Sequence, residues 1–223
     1  MMIWFSTGCY NTSSGRKTDD IQANYVVSTD ESGDSHLKVE LRLYGLQPLE
    51  LSGNDSLIAE VEEERLPVPM VKNGKYKVAL GTLSEGTEVR LDLVRKPEKS
   101  ALNSTVKIPT PFELEPLEQN HYSGGQSLIR IIELKWSPAS IGFMGVEVDG
   151  ECIVSWNRIV PDRGKYMLDP ISYNGSGLDG QRESCEVTIK LTRSVPGYIA
   201  DEFDTFSSAR AEQIRYLSFI YDP

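Results

Sequence analysis

The sequence predicts an all-β protein: two antiparallel β-sandwich domains in tandem, behind a disordered N-terminal tether. Three observations carry that expectation. Apolar residues recur at every second position in most segments after Ile21, and no window longer than a turn or two keeps a helical period. Pro48, Pro67, Pro69 and Pro97 fall between the alternating runs, where a missing amide breaks no ladder. Finally, 223 residues are enough to bury two cores of ordinary size.

The most informative strand is the one in which Cys185, Val187, Ile189 and Leu191 alternate with Ser184, Glu186, Thr188, Lys190 and Thr192. One face of such a strand is dry, and the cysteine is on it. Cys152, Val154 and Trp156 share a parity in an earlier segment, so a strand there also sends its cysteine inward. Two inward cysteines on separate strands suggest a disulfide across the sandwich, of the kind that oxidising compartments maintain. The alternative is two free, buried thiols acting as small hydrophobes.

Taken in order, the chain opens with an apolar run, Met1 to Phe5, closing on Ser6-Thr7-Gly8-Cys9. Tyr10 to Asp20 is polar and lacks apolar periodicity, so it reads as a tether; residues 1–20 are thus a leader end and linker. The first sandwich is expected over 21–116. It begins with Tyr25-Val26-Val27, turns at Asp30 to Asp34, and alternates cleanly from Leu37 to Leu43. Leu57 to Glu62, Tyr76 to Leu80, Thr87 to Leu93 and Ser104 to Ile108 supply its further strands.

Pro109 to Pro116 is proline-rich, extended and stiff, and marks the boundary. The second sandwich is expected over 117–223. Leu128, Arg130, Ile132, Leu134 and Trp136 lie on one parity, then Val146 and Val148, with Asp149-Gly150 as either a hairpin turn or a kink in one long strand. A glycine-rich loop, Ser172 to Gln181, precedes the Cys185 strand, and Ile214 to Tyr221 is a final core strand.

The two halves also resemble each other. Glu88-Val89-Arg90-Leu91-Asp92-Leu93-Val94-Arg95 matches Glu186-Val187-Thr188-Ile189-Lys190-Leu191-Thr192-Arg193 in its glutamate, valine, aliphatic, leucine and arginine positions. Gly74-Lys75-Tyr76 recurs as Gly164-Lys165-Tyr166, and Ser100-Ala101 with Val106-Lys107 recurs as Ser208-Ala209 with Ile214-Arg215. The matches keep their order, and the spacing between copies widens as loop insertions in a second copy would widen it.

Ser6-Thr7-Gly8-Cys9, Asn103 to Pro109, and the layout from Leu134-Lys135-Trp136-Ser137-Pro138 to Gly150-Glu151-Cys152 together resemble uncharacterised proteobacterial lipoproteins with two immunoglobulin-like domains. That resemblance implies that Cys9 is lipidated and becomes the mature N-terminus, so that the chain meets a membrane through a lipid anchor. Tyr10 in place of an aspartate then implies the outer membrane. It brings no known activity.

Chemistry is sparsely signalled. Basic residues number 23 against 33 acidic ones, and the net charge of -10 disfavours nucleic acid, whose binding rests on cationic contacts. His36 and His121 lack a second ligand at metal spacing, Gly175-Ser176-Gly177 lacks the spacing of a nucleophile elbow, and no cofactor is expected. Glu60 to Glu64 and Asp201, Glu202 and Asp204 are acidic enough for Ca²⁺ but lack its loop pattern. Tyr122, Tyr173, Tyr198 and Phe203 either pin loops onto the sandwich ends or form a binding patch. The expected function is therefore a non-catalytic, lipid-anchored envelope protein that presents loops to a protein or glycan partner. Tyr173, Asn174 and Asp179 are the candidate partner-binding loop. The alternative is a periplasmic or secreted hydrolase, or its carbohydrate-binding accessory module.

Overall fold

A computed structural model describes residues 11–119, 121–123, 132–168 and 184–222. Among the described residues all regular structure is strand apart from a three-residue 3-10 turn, Thr18–Asp20, and the chain divides into two compact units, described in turn.

Unit 1 consists of residues 11–28, Gly33–Ile108 and Val195–Ala211. Its strands are β1 (Asn11–Thr12), β2 (Ile21–Thr29), β3 (Asp34–Leu43), β4 (Gln47–Glu50), β5 (Ser56–Val61), β6 (Glu64–Pro67), β7 (Met70–Lys72), β8 (Lys75–Thr82), β9 (Glu88–Val94) and β10 (Ala101–Lys107). One layer holds β2, β3 and β8 as neighbours, with β4 and β7 beside β3 and β8; the other runs β10-β9-β5-β6. β2 alternates without exception, Ile21, Ala23, Tyr25 and Val27 pointing inward. They meet Leu37, Val39 and Leu41 from β3, and Leu57, Ala59, Leu91 and Leu93 from the second layer. This is a β-sandwich-like arrangement, as the period of two demands.

Unit 2 consists of Thr29–Ser32 and the described residues of 109–194 and 212–222. Its strands are β11 (Glu113–Leu114), β12 (His121–Ser123), β13 (Ile132–Ser137), β14 (Phe143–Gly150), β15 (Trp156–Pro161) and β16 (Lys165–Leu168), with β17 (Cys185–Pro196) up to Ser194 and β18 (Ser208–Asp222) from Glu212. One layer is β11-β13-β16; the other places β18, β17, β14 and β15 side by side, with β12 parallel to the end of β18. Leu134, Trp136, Met144, Val146, Val148, Ile189, Leu191 and Tyr221 fill the core.

The internal repeat maps onto corresponding strands. Glu40 faces Lys75 and Val39 faces Tyr76 across β3 and β8, and the Leu41 amide donates to Gly74 O at 2.8 Å. In the same way Lys135 faces Lys165 and Leu134 faces Tyr166 across β13 and β16, and the Trp136 amide donates to Gly164 O at 2.9 Å. Gly74 needs its φ of +67°, and a Cβ there would sit 2.8 Å from Leu41 O. β9 lies between β10 and β5 as β17 lies between β18 and β14.

Three expectations are corrected. Compactness does not break between 116 and 117 but changes at Ile108 and Pro109, and Val195–Ala211 belongs with unit 1. Burial is the reason, because Ala200, Phe203, Ala209 and Ala211 are part of the unit 1 core. Residues 11–20 are not a free tether either. β1 pairs in parallel with β4, the Ser13 amide donates to Glu50 O at 2.8 Å, and Ser13 and Thr18 are buried. Thirdly, Cys152 is not on a strand. β14 ends at Gly150, a turn follows, and β15 returns antiparallel from Trp156, so Asp149 and Gly150 are neither a tight turn nor a kink but the last residues of β14, opposite Thr188 and Val187 of β17. The Cys152–Cys185 disulfide is present, with Cα atoms 5.7 Å apart, but it ties the turn after β14 to the start of the adjacent β17. It is a staple within one sheet and not a bridge between two.

Candidate functional site

Two buried arginines, one in each unit, organise the polar structure. Arg95 follows β9 and Arg193 lies in β17, and they are equivalent positions of the repeat. Arg95 Nε donates to Asp55 Oδ2 at 2.9 Å, Nη2 to Ser13 O at 2.7 Å and Nη1 to Thr18 Oγ1 at 3.1 Å. Arg193 Nε donates to Asp162 Oδ2 at 2.7 Å, and its Nη atoms to Thr110 O and Pro138 O at 2.9 and 2.7 Å. A guanidinium supplies five donors and no acceptor, so only such a ring of oxygens makes its burial tolerable. The two clasps draw their carboxylates from different places, Asp55 before β5 and Asp162 after β15.

In unit 1 the clasp supports a surface feature. Thr18, held from behind by Arg95, donates its hydroxyl to Lys99 O. Lys17, Thr18, Asp19, Glu98, Lys99, Asp201 and Glu202 line an open cleft of about 440 Å³. Three segments far apart in sequence build it: the 3-10 turn, the connection between β9 and β10, and the start of the segment between β17 and β18. Lys99 Nζ reaches Glu202 Oε1 at 3.1 Å, and the hydrogen bond from Lys99 holds the Glu202 carboxyl below its usual range.

Exposed apolar side chains stand on segments bonded to Asp20 and Gln22, next to the 3-10 turn. The Tyr44 amide donates to Asp20 O at 3.0 Å, and Gln22 Nε2 donates to Phe206 O at 3.0 Å while its Oε1 lies against Gly45. Gln22 thus lies between Phe206 and the turn that carries Tyr44 and Leu46. Their exposures are 59% for Tyr44, 81% for Leu46 and 79% for Phe206, values that leave these large side chains in water. A mixed-charge cleft can hold a ligand by charge-assisted hydrogen bonds.

Cys9, Tyr173, Asn174 and Asp179, named from the sequence, lie outside the described residues. Among the loop aromatics, Phe203 is buried edge-on against Tyr25 with centroids 5.8 Å apart, and Tyr122 is buried against Phe219 at 5.1 Å, so both pin their segments. Tyr198 is half exposed, its backbone bonded to Thr105. Of the acidic groups, Glu60 is engaged by Arg90, and Asp201 and Glu202 line the cleft. Among the described residues no group of three or more His, Cys, Asp or Glu is placed to hold a metal ion. Sequence reasoning missed the Arg95 clasp, although Arg95 ends a repeat match; burial of a charge is not visible in a period of two.

No protein-family profile matches the chain, and no curated protein matches it significantly.

Proposed function

We propose that this chain is a non-catalytic binding protein of the bacterial cell envelope, built from two immunoglobulin-like sandwiches and held to the outer membrane by a lipid on Cys9. The observation that carries the binding role is the unit 1 cleft, with Tyr44, Leu46 and Phe206 exposed on neighbouring segments of the same unit. The immunoglobulin-like reading is supported by the repeated pairing, in which β3 with β8 and β13 with β16 form one layer, and β5, β9 and β10 correspond to β14, β17 and β18 in the other. Export is supported by the Cys152–Cys185 disulfide, a bond that reducing compartments do not maintain. The Lys99 hydrogen bond holds the Glu202 carboxyl below its usual range, which suits a group that takes part in charge-assisted binding.

The anchor is tested by the intact mass of the protein recovered from its host's envelope, with and without reductant. A chain beginning at Cys9, carrying acyl mass and two hydrogens lighter than its reduced form, is the expected result. An unprocessed chain with free thiols sinks the proposal. The cleft is tested on glycan and peptide arrays, comparing the protein with a Leu46→Ser/Phe206→Ser variant. Hits that both proteins share equally would place the binding elsewhere.

A further inference from the structure

The outer face of the β3, β8 and β7 layer in unit 1 concentrates positive charge on a chain of net charge -10. Lys38 and Lys77 stand directly opposite each other across β3 and β8, and Lys72 stands opposite Lys75 across β7 and β8. All four lysines are exposed, and among the described residues none takes part in an ion pair. Glu40, the carboxylate opposite Lys75, is already engaged by Arg42 at 2.9 Å. Like charges placed directly across a strand pair work against the sheet. With none of the four lysines in an ion pair among the described residues, the positive charge of this face is open to an anion outside the unit. The edge strand β7 adds exposed Met70 and Val71. Ammonium groups over a sheet face, with exposed apolar side chains on the adjoining edge strand, fit an anionic layer with a hydrocarbon interior better than they fit a soluble polyanion.

We propose that this face docks on anionic phospholipid headgroups. The proposal goes beyond the anchor and does not need it, since the polypeptide itself makes the contact. The attraction belongs to the lysines and is screened by salt.

The test is flotation of the full chain, made without acylation as the Cys9→Ser variant, with vesicles of phosphatidylcholine containing about one third phosphatidylglycerol or none. Binding is expected only to the anionic vesicles and is expected to weaken as salt rises. Lys38→Gln/Lys77→Gln should lower the partition coefficient about 30-fold, at the usual contribution of a lysine near an anionic surface. Lys107→Gln, on β10 in the other layer, should change it little. The double variant removes a repulsion, so it should fold with an unchanged or higher urea midpoint, which shows that any lost binding is not lost structure. Equal binding to both vesicle types, or binding indifferent to Lys38 and Lys77, overturns the proposal. Lysine-dependent capture by dextran sulfate without vesicle binding also overturns it, in favour of a soluble polyanion. Failure to find an acyl chain on Cys9 leaves this outcome untouched, so the two proposals fail separately.

Discussion

Arg193 Nε lies 2.7 Å from Asp162 Oδ2 with the two side chains 4% and 1% exposed, so an ion pair closes inside unit 2 almost without water. Asp162 also accepts from Trp136 Nε1 at 2.7 Å, and the Arg193 guanidinium lies 4.9 Å from the Phe112 ring centre. The pair therefore joins the layer containing β13 to the layer containing β17. Arg193→Leu leaves the Asp162 carboxylate buried without its cation and should lower stability by about 3–5 kcal/mol. Urea unfolding followed by tryptophan fluorescence measures it. A loss below about 1 kcal/mol would mean that water reaches Asp162 in the folded protein.

The disulfide should act as a staple between neighbouring strands. With its cysteines 33 positions apart, Cys152→Ser should cost about 3–4 kcal/mol in oxidising buffer on the chain-entropy account. In reductant the variant and the parent should unfold at nearly the same denaturant concentration. Equal loss in both buffers would assign the effect to packing of Cys152 in the core.

Gly197 tests the assignment of Val195–Ala211 to unit 1. A Cβ at this position would lie 2.2 Å from Thr105 O and 2.5 Å from Val106 Cγ1. Its neighbour Tyr198 exchanges both backbone hydrogen bonds with Thr105, at 2.8 and 2.9 Å. Gly197→Ala must therefore part the segment from β10, at a cost of about 1–3 kcal/mol or more. Amide exchange should speed up at Tyr198 and Thr105 first. A variant as stable as the parent would show that the segment does not pack there.

These variants also mark what the sequence made legible. The alternation of Ile21, Ala23, Tyr25 and Val27 gave β2 its face directly, and the Gly-Lys-Tyr repeat led to two hydrogen-bonded pairs of corresponding register. Parity gave Cys152 its inward side and its bridge but misplaced it on a strand, because a turn after Gly150 interrupts the strand on which parity has meaning. Nothing local tells which core Ala200 and Phe203 will join, since apolar pattern records that a side chain is buried and not against what. The cleft escaped for the same reason: Thr18, Lys99 and Glu202 meet only through tertiary structure.

Tyr25 yields the last prediction, and its sign can be worked out from burial. Its hydroxyl is buried in unit 1, edge-on to Phe203, with the Ser104 side chain as its polar neighbour. Burial, with the Asp92 carboxylate second, pushes its phenol well above the ordinary value of 10.0. The folded state thus keeps its proton at a pH where the unfolded chain has released it. Unfolding then loses a proton, so this contribution is fully present below the unfolded value and falls away as pH rises above it. At pH 7 Tyr25→Phe removes a buried hydroxyl and at most its bond to Ser104, so stability should change by no more than about 1.5 kcal/mol. Above about pH 10 the parent should lose stability with a slope that the variant lacks at this site. Urea midpoints for both proteins at pH 7 and pH 10.5 decide the matter. A much larger loss at pH 7 would mean that the hydroxyl is held by more than Ser104, and that its burial is not the dry burial that the alkaline slope requires.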